Sequence, residues 1–237
     1  TVPNLKSYDP AFAYELAVVI REGIYRMYEQ QENIFYYLTV YNENYVMPAL
    51  PDDSACTAGI IKGAYCWRRS DCGGEPVHLM ASGSIMQQAI AASSKLEELG
   101  YAAHIWSVTS YTELCREAEA CERHNRLQPL DAEQEPYLRA LFANESGPVV
   151  AVSDYMKALP NSIARWMPKN FTSLGTDGFG LSESRSDLLD HFEISSSHIT
   201  HAALVALYRD GKISWAVLEK QMKELAIVGD KLDPMSR

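Results

Sequence analysis

The spacing of apolar positions changes period many times along the chain, and each change marks an element. Behind Asp9-Pro10, Phe12, Leu16, Val19, Ile20, Ile24 and Met27 recur at helical spacing. Asp as N-cap and Pro as first helical residue predict a helix from there to about Tyr28. Residues 34–40, Ile-Phe-Tyr-Tyr-Leu-Thr-Val, are β-branched and aromatic without helical period, which predicts a buried strand. Ala58 to Trp67 is apolar but carries no decisive period, and Arg68 to Glu75 reads as a polar turn. Short apolar runs then alternate with helical stretches. Strands are predicted at residues 77–81, 102–108, 147–153 and 171–174. Helices are predicted from Ile85 to a Gly100 stop, from Tyr111 towards Asn125, over 131–144, and from an Asp154 cap through Trp166. Ser110 with Glu113 three residues on forms a capping-box pattern, as does Ser184 with Asp187. Two closing helices are expected, one capped by Ser196 or Ser197 and ending at Gly211, the other capped by Ser214 with Ile213 and Leu218 as a staple.

Repeated βα units of this length imply an α/β fold, a three-layer, mostly parallel sheet with helices on both faces. One helix and one strand cannot bury their own faces. Residues 1–50 therefore read as the terminal αβ piece of another α/β domain, residues 51–75 as a crossing segment, and residues 76–237 as a second domain. On this reading the chain is the C-terminal fragment of a longer protein.

The densest punctuation lies at Gly175, Gly178 and Gly180, between the 171–174 strand and the Ser184 cap. In open α/β sheets such junctions sit at the carboxyl ends of strands, where ligands and partner surfaces bind. The pattern is neither G-x-G-x-x-G nor a phosphate loop with a lysine, so no nucleotide is implied. A second polar loop, Tyr41-Asn-Glu-Asn-Tyr-Val-Met-Pro48, follows the first predicted strand; its asparagines could serve a ligand or simply satisfy turn backbone.

Composition narrows the picture. A net charge of −10 disfavours nucleic acid and anionic membranes as partners. No apolar run is long enough to span a bilayer. The cysteines 56, 66, 72, 115 and 121 are an odd number without C-x-x-C, which suits free thiols in a reducing cytoplasm. Cys66 and Cys72 lack companions at metal spacing. His198 and His201 are three apart on a predicted helix, a spacing that permits a shared metal, but no third ligand completes a pattern. There is no G-x-S-x-G, and no catalytic set is complete.

Several blocks in one order resemble a known family. They are Asp9-Pro with its helix, Phe35-Tyr-Tyr-Leu-Thr-Val-Tyr-Asn-Glu-Asn-Tyr45, Ala81-Ser-Gly-Ser84, Ser107-Val-Thr-Ser-Tyr-Thr-Glu-Leu114, Ser153-Asp-Tyr-Met-Lys157, and Leu174-Gly-Thr-Asp-Gly-Phe-Gly180 followed by Ser184-Arg185. Together they are similar to the C-terminal part of the homodimeric, bacterial-type pyruvate dehydrogenase first component, a thiamine-diphosphate-dependent relative of transketolase. The resemblance implies the end of a pyrimidine-binding domain followed by a transketolase-like C-terminal domain. It implies thiamine diphosphate and Mg²⁺ in the full enzyme, with their ligands upstream of this chain and none within it. It also implies pyruvate as substrate, a homodimer, a dihydrolipoyl acetyltransferase core as partner, and a cytoplasmic location. No catalytic or metal-binding residue carries over, because the motifs that hold them do not occur in this stretch. The residues that could form an active-site rim or an interface are Asn42, Glu43, Asn44, Tyr45, Gly175, Thr176, Asp177, Gly178 and Arg185. The alternatives are a non-catalytic docking module, which would take an acyltransferase core or an anion at the glycine loop, and another transketolase-type enzyme.

Overall fold

The structure is a computed structural model that describes residues 2–42, 44–51 and 54–236. Its first unit is Leu5–Tyr8 (β1), Ala13–Ile24 (α1) and Phe35–Leu38 (β2), with a π-helical turn over Tyr25–Glu29 closing α1. β1 and β2 pair in parallel, Leu5 opposite Phe35 and Tyr8 opposite Leu38. β1 has no counterpart in the sequence reading. Its four residues, Leu-Lys-Ser-Tyr, are too few and too polar to show a period.

α1 also starts later than predicted. Asp9 does not cap it; the N-cap is Phe12. The side chain of Glu15 folds back and accepts the amides of Ala11 at 2.6 Å and of the N-cap Phe12 at 3.1 Å, so Glu15 fixes the chain's entry into α1 instead. Strand β2 is not buried as expected. Phe35 and Tyr37 are exposed while Tyr36 and Leu38 are half-buried, and Ile20 and Ile24 of α1 are exposed as well.

The second unit is built on a five-stranded sheet in the order β3-β5-β4-β6-β7. The strands are Tyr65–Arg68 (β3), Pro76–Ala81 (β4), Ala102–Ser107 (β5), Val149–Val152 (β6) and Phe171–Leu174 (β7). β4 pairs in parallel with β5 and β6, and β6 with β7; β3 is an antiparallel edge on β5. The mostly parallel sheet is as expected, and the unplaced 58–67 stretch resolves into helix Ser54–Lys62 (α2) and strand β3. Alternate strand residues feed opposite faces. Val77, Leu79, Ala103, Ile105 and Val150 pack on Met86–Glu98 (α3) and Ser196–Arg209 (α8). Met80, Trp106, Val149 and Ala151 pack on Tyr111–Leu127 (α4) and Tyr137–Phe142 (α5). The remaining helices are Ala158–Asn161 (α6), Arg185–His191 (α7) and Trp215–Glu224 (α9).

Caps read from sequence hold at Ser110, Ser184 and Ser214, each accepting the amide three residues on. The cap of α8 is Ser195, one residue earlier than expected. The helix expected over 131–144 forms only after Pro136, because a residue before proline is driven to extended backbone. Its first turn is satisfied from outside, by Glu117 of α4 accepting the Tyr137 amide at 3.0 Å. The long helix expected behind Asp154 shrinks to α6 and a 3₁₀ turn at Ala164–Trp166, since Asp154 is engaged elsewhere.

Glu15 also joins the two units. Its side chain is fully buried, and Oε1 accepts from Tyr65 Oη of β3 and Ser107 Oγ of β5, both at 2.6 Å. Tyr14 donates to Tyr65 Oη at 2.5 Å. Burial pushes the Glu15 carboxyl above its ordinary range, and the hydrogen bonds it accepts oppose that shift without cancelling it.

Candidate functional site

The connection from β4 to β5 runs one way across the sheet and the next returns past β4 to β6. The carboxyl ends of β4 and β6 therefore diverge at a topological switch point, where open α/β sheets form their crevice. Ser82-Gly-Ser84 leaves β4 there, Ser153-Asp-Tyr155 leaves β6, and Gly175-Thr-Asp177 leaves β7.

These loops are tied to one another by polar contacts. Ser84 Oγ donates to Asp154 Oδ2 at 2.7 Å, and Arg185 Nη2 donates to Ser84 Oγ at 3.1 Å. Thr176 Oγ1 donates to the Asp154 carbonyl at 2.8 Å, and the Thr176 amide to the Tyr155 carbonyl at 3.0 Å. Asp177 accepts the Lys157 amide at 2.9 Å and pairs with Lys157 Nζ at 3.1 Å.

Two of the three glycines are demanded by geometry. A Cβ at Gly175 would lie 2.6 Å from the Tyr155 carbonyl oxygen and 2.8 Å from the Lys157 nitrogen. Gly178 has φ +103°, and a Cβ there would meet the Pro234 carbonyl at 2.7 Å. Gly180 faces open space.

The loop after β2 approaches the same crevice. Tyr41 Oη donates to Asp9 Oδ1 at 2.5 Å and lies 3.5 Å from Tyr155 Oη. Tyr45 Oη donates to the Ala11 carbonyl at 2.6 Å. Asn42 and Asn44 are exposed, and Glu43 lies outside the described residues. So Thr176, Asp177 and Arg185 gather around Asp154 and Ser84, with Tyr41 bringing the other predicted loop alongside. Asp154 and Asp9 were read from sequence as helix caps, and Ser84 as the end of the Ala81–Ser84 block; an aspartate after a strand carries the same signal for a cap and for a tie between loops.

The arrangement holds loops rather than activating a nucleophile. Ser84 donates its hydrogen bond to a carboxylate and accepts one from a guanidinium, and no histidine contacts it among the hydrogen bonds of the described residues. Elsewhere, His198 Nδ1 bonds Ser195 Oγ at 2.9 Å, cysteines 66, 72, 115 and 121 are free thiols, and the described residues contain no group of three ligating side chains able to hold a metal ion. No helix of the described residues is long and apolar enough to cross a membrane. A cavity of about 170 Å³ opens between the two units beside Asp9, Thr39, Tyr111 and Tyr155. A wider groove of about 800 Å³ runs along Met156, Lys157, Asp177, Phe179 and Met235.

Comparison with known proteins now bears on this geometry. Residues 63–195, which carry the whole sheet and the switch-point loops, match the family model "Transketolase-like TK C-terminal domain". The chain belongs to this family. Residues 1–48 match a second model, "Pyruvate dehydrogenase E1 component middle domain". The pyruvate dehydrogenase E1 component of Escherichia coli is 41% identical over 237 residues, covering 99% of this chain and 26% of that protein. That of Pseudomonas aeruginosa is 42% identical over 238 residues, covering 99% and 27%. The chain thus spans about a quarter of the length of the curated relatives it matches. Among solved structures, transketolase from Campylobacter jejuni aligns with TM-score 0.57 and 18% identity over 86% of this chain and 26% of that one. Transketolase from Leishmania mexicana aligns with TM-score 0.57 and 18% identity over 90% and 27%. At that identity these two establish the shared fold and nothing further.

Proposed function

We propose that this chain is the C-terminal region of a thiamine-diphosphate-dependent pyruvate dehydrogenase first component. The full enzyme decarboxylates pyruvate and reductively acetylates the lipoyl groups of an acetyltransferase core. The observation that carries the reading is the identity of about two residues in five along nearly the entire chain, through both matched families in succession. Those matches support reading residues 1–48 as the end of the pyrimidine-binding domain and the chain from residue 63 on as part of the C-terminal domain, whose sheet takes in β3 from the expected 51–75 crossing segment. A homodimeric enzyme in the cytoplasm completes the proposal.

The residues described here do not fit thiamine diphosphate and Mg²⁺: no three ligating side chains converge, and the switch-point polar groups bond one another. The proposal therefore assigns cofactor binding and the chemical steps to other parts of the enzyme. This region's part is architectural. The Asn42–Tyr45 loop, with Gly175, Thr176, Asp177, Gly178 and Arg185, forms a rim facing a neighbouring domain or subunit. The exposed Ile20, Ile24, Phe35 and Tyr37 support an extended interface on the first unit. The test is replacement: a chimera of the Escherichia coli relative carrying this chain in place of its matching stretch, assayed for pyruvate decarboxylation. Activity dependent on thiamine diphosphate is the expected result. A folded, dimeric chimera without it would count against the proposal.

A further inference from the structure

The switch-point crevice, which in this class of sheet receives a ligand, is filled in this chain by the chain itself. The ring of Tyr41 lies on Gly83: a Cβ at Gly83 would fall 2.4 Å from Tyr41 Oη and 2.7 Å from its Cε2 and Cζ. Gly83 also has φ +51°, so the position favours glycine both for its backbone and for the room it leaves. The phenol is gripped from both units. It donates to Asp9 Oδ1 at 2.5 Å on the first unit and meets Tyr155 Oη, from the loop after β6, at 3.5 Å. The same aspartate is stitched to the sheet by backbone: its amide donates to the Thr109 carbonyl at 2.7 Å, and the Gly83 amide donates to its carbonyl at 3.1 Å. Asp9 Oδ1 accepts from Thr39 Oγ1 as well, two residues before Tyr41.

The loop that follows is largely exposed and enters from this seat. Asn42, Asn44, Val46 and Met47 are exposed, and Tyr45 packs against the core and donates to the Ala11 carbonyl. We infer that Tyr41 is a positioning residue, a phenol seated on Gly83 in the switch-point crevice that sets where the Asn42–Met47 segment stands relative to the five-stranded sheet. The crevice is thus an anchor between the two units, and its occupant is a side chain. That the positioned segment is an active-site rim rests on the function proposed above; the seat itself does not.

Hydrogen exchange of the 237-residue chain tests it without any catalytic assay. In Tyr41→Ala, exchange at the amides of Asp9 and Gly83 and along 42–47 rises roughly ten- to hundredfold, since a charge-assisted hydrogen bond and the ring contact are lost. Amides within β4 and β5 keep their protection. Millimolar p-cresol, which refills the vacated seat, restores protection at Asp9 and Gly83. Gly83→Ala, which expels the ring from the other side, reproduces the local loss. Unchanged exchange at Gly83 in Tyr41→Ala, a rise spread evenly over the sheet, or a local loss that p-cresol leaves untouched would each overturn the assignment. Should Tyr41→Ala not fold, Tyr41→Phe carries the test: a local rise of about tenfold at Gly83 is expected from loss of the hydroxyl, and no rise overturns it.

Discussion

Replacing Glu15 by alanine would strip four donors of their acceptor at once. Two are backbone amides immediately before α1, Ala11 and its N-cap Phe12, and two are the hydroxyls of Tyr65 and Ser107 on the neighbouring strands. The hydroxyls can rotate towards other partners, and Tyr65 already stands beside Tyr14. The amides cannot turn. Leaving two buried amides without an acceptor, with the loss of the side chain's other contacts, costs about 3–5 kcal/mol. For a domain of this size, with roughly 2–4 °C per kcal/mol, that is a fall in melting temperature of about 6–20 °C. Glu15→Gln should cost far less, about 1 kcal/mol, provided its amide oxygen faces Ala11 and Phe12. Its NH₂ then points at two hydroxyls that can accept. The pH dependence follows from the raised carboxyl. A group whose folded-state value lies above its unfolded one, about 4.3 for glutamate, stabilises the fold most when protonated. Glu15 therefore contributes most below that value, and the contribution drains away as pH rises through its folded-state value. Thermal unfolding of the wild type, Glu15→Gln and Glu15→Ala between pH 4.5 and 7.5 checks the reasoning. Glu15→Gln should lie closer to the wild type at pH 7.5 than at pH 4.5. Equal destabilisation by Gln and Ala, or a gap that widens with rising pH, would refute it.

Three further outcomes are expected. Gly175→Ala drives a Cβ into the Tyr155 carbonyl and the Lys157 amide, so it should destabilise by about 1–3 kcal/mol in denaturant melts and raise proteolysis within 154–178. His78, buried against Trp106, accepts from Trp106 Nε1 at 3.0 Å and donates Nε2–H to the Ser146 carbonyl at 2.9 Å; burial holds its pKa below the ordinary value. Because the unfolded chain takes up that proton first, the margin of the wild type over His78→Gln should shrink as pH drops below about 6.5, whereas a margin that stays constant between pH 6.5 and 5.5 would contradict this. Lys223→Ala removes an exposed pair with Glu219 and should change stability by less than about 0.5 kcal/mol, which distinguishes the surface from the buried contacts.

Legibility in the sequence followed from how local the determining physics is. Phe171–Leu174 and the Ser184 and Ser110 caps were readable because a short apolar run or a serine with an acidic residue three positions on is decided within one turn. Asp9 carried the same local signal and misled, because Thr39 and Tyr41, some thirty residues away, compete for its carboxylate. β1 was invisible for a related reason: its strand character comes from pairing with β2 rather than from its own four residues. The alternation of strands and helices was enough for the parallel sheet, but not for the antiparallel edge β3, whose direction is set by α2 turning the chain back at Gly63. At the candidate site, the glycines pointed to the loop. Its bonding to Ser84 and Asp154 depends on which strand ends stand side by side, and that order is a property of the topology.

On the function proposed above, this chain is one part of a pyruvate-decarboxylating enzyme whose chemistry is carried by other parts. The direct measurement is pyruvate-dependent reduction of ferricyanide with thiamine diphosphate and Mg²⁺, run on the chimera with the Escherichia coli relative and on the 237-residue chain alone. Turnover by the chimera and none by the isolated chain is the expected result. Turnover by the isolated chain, or a dimeric chimera that binds the cofactor yet leaves pyruvate untouched, would contradict it.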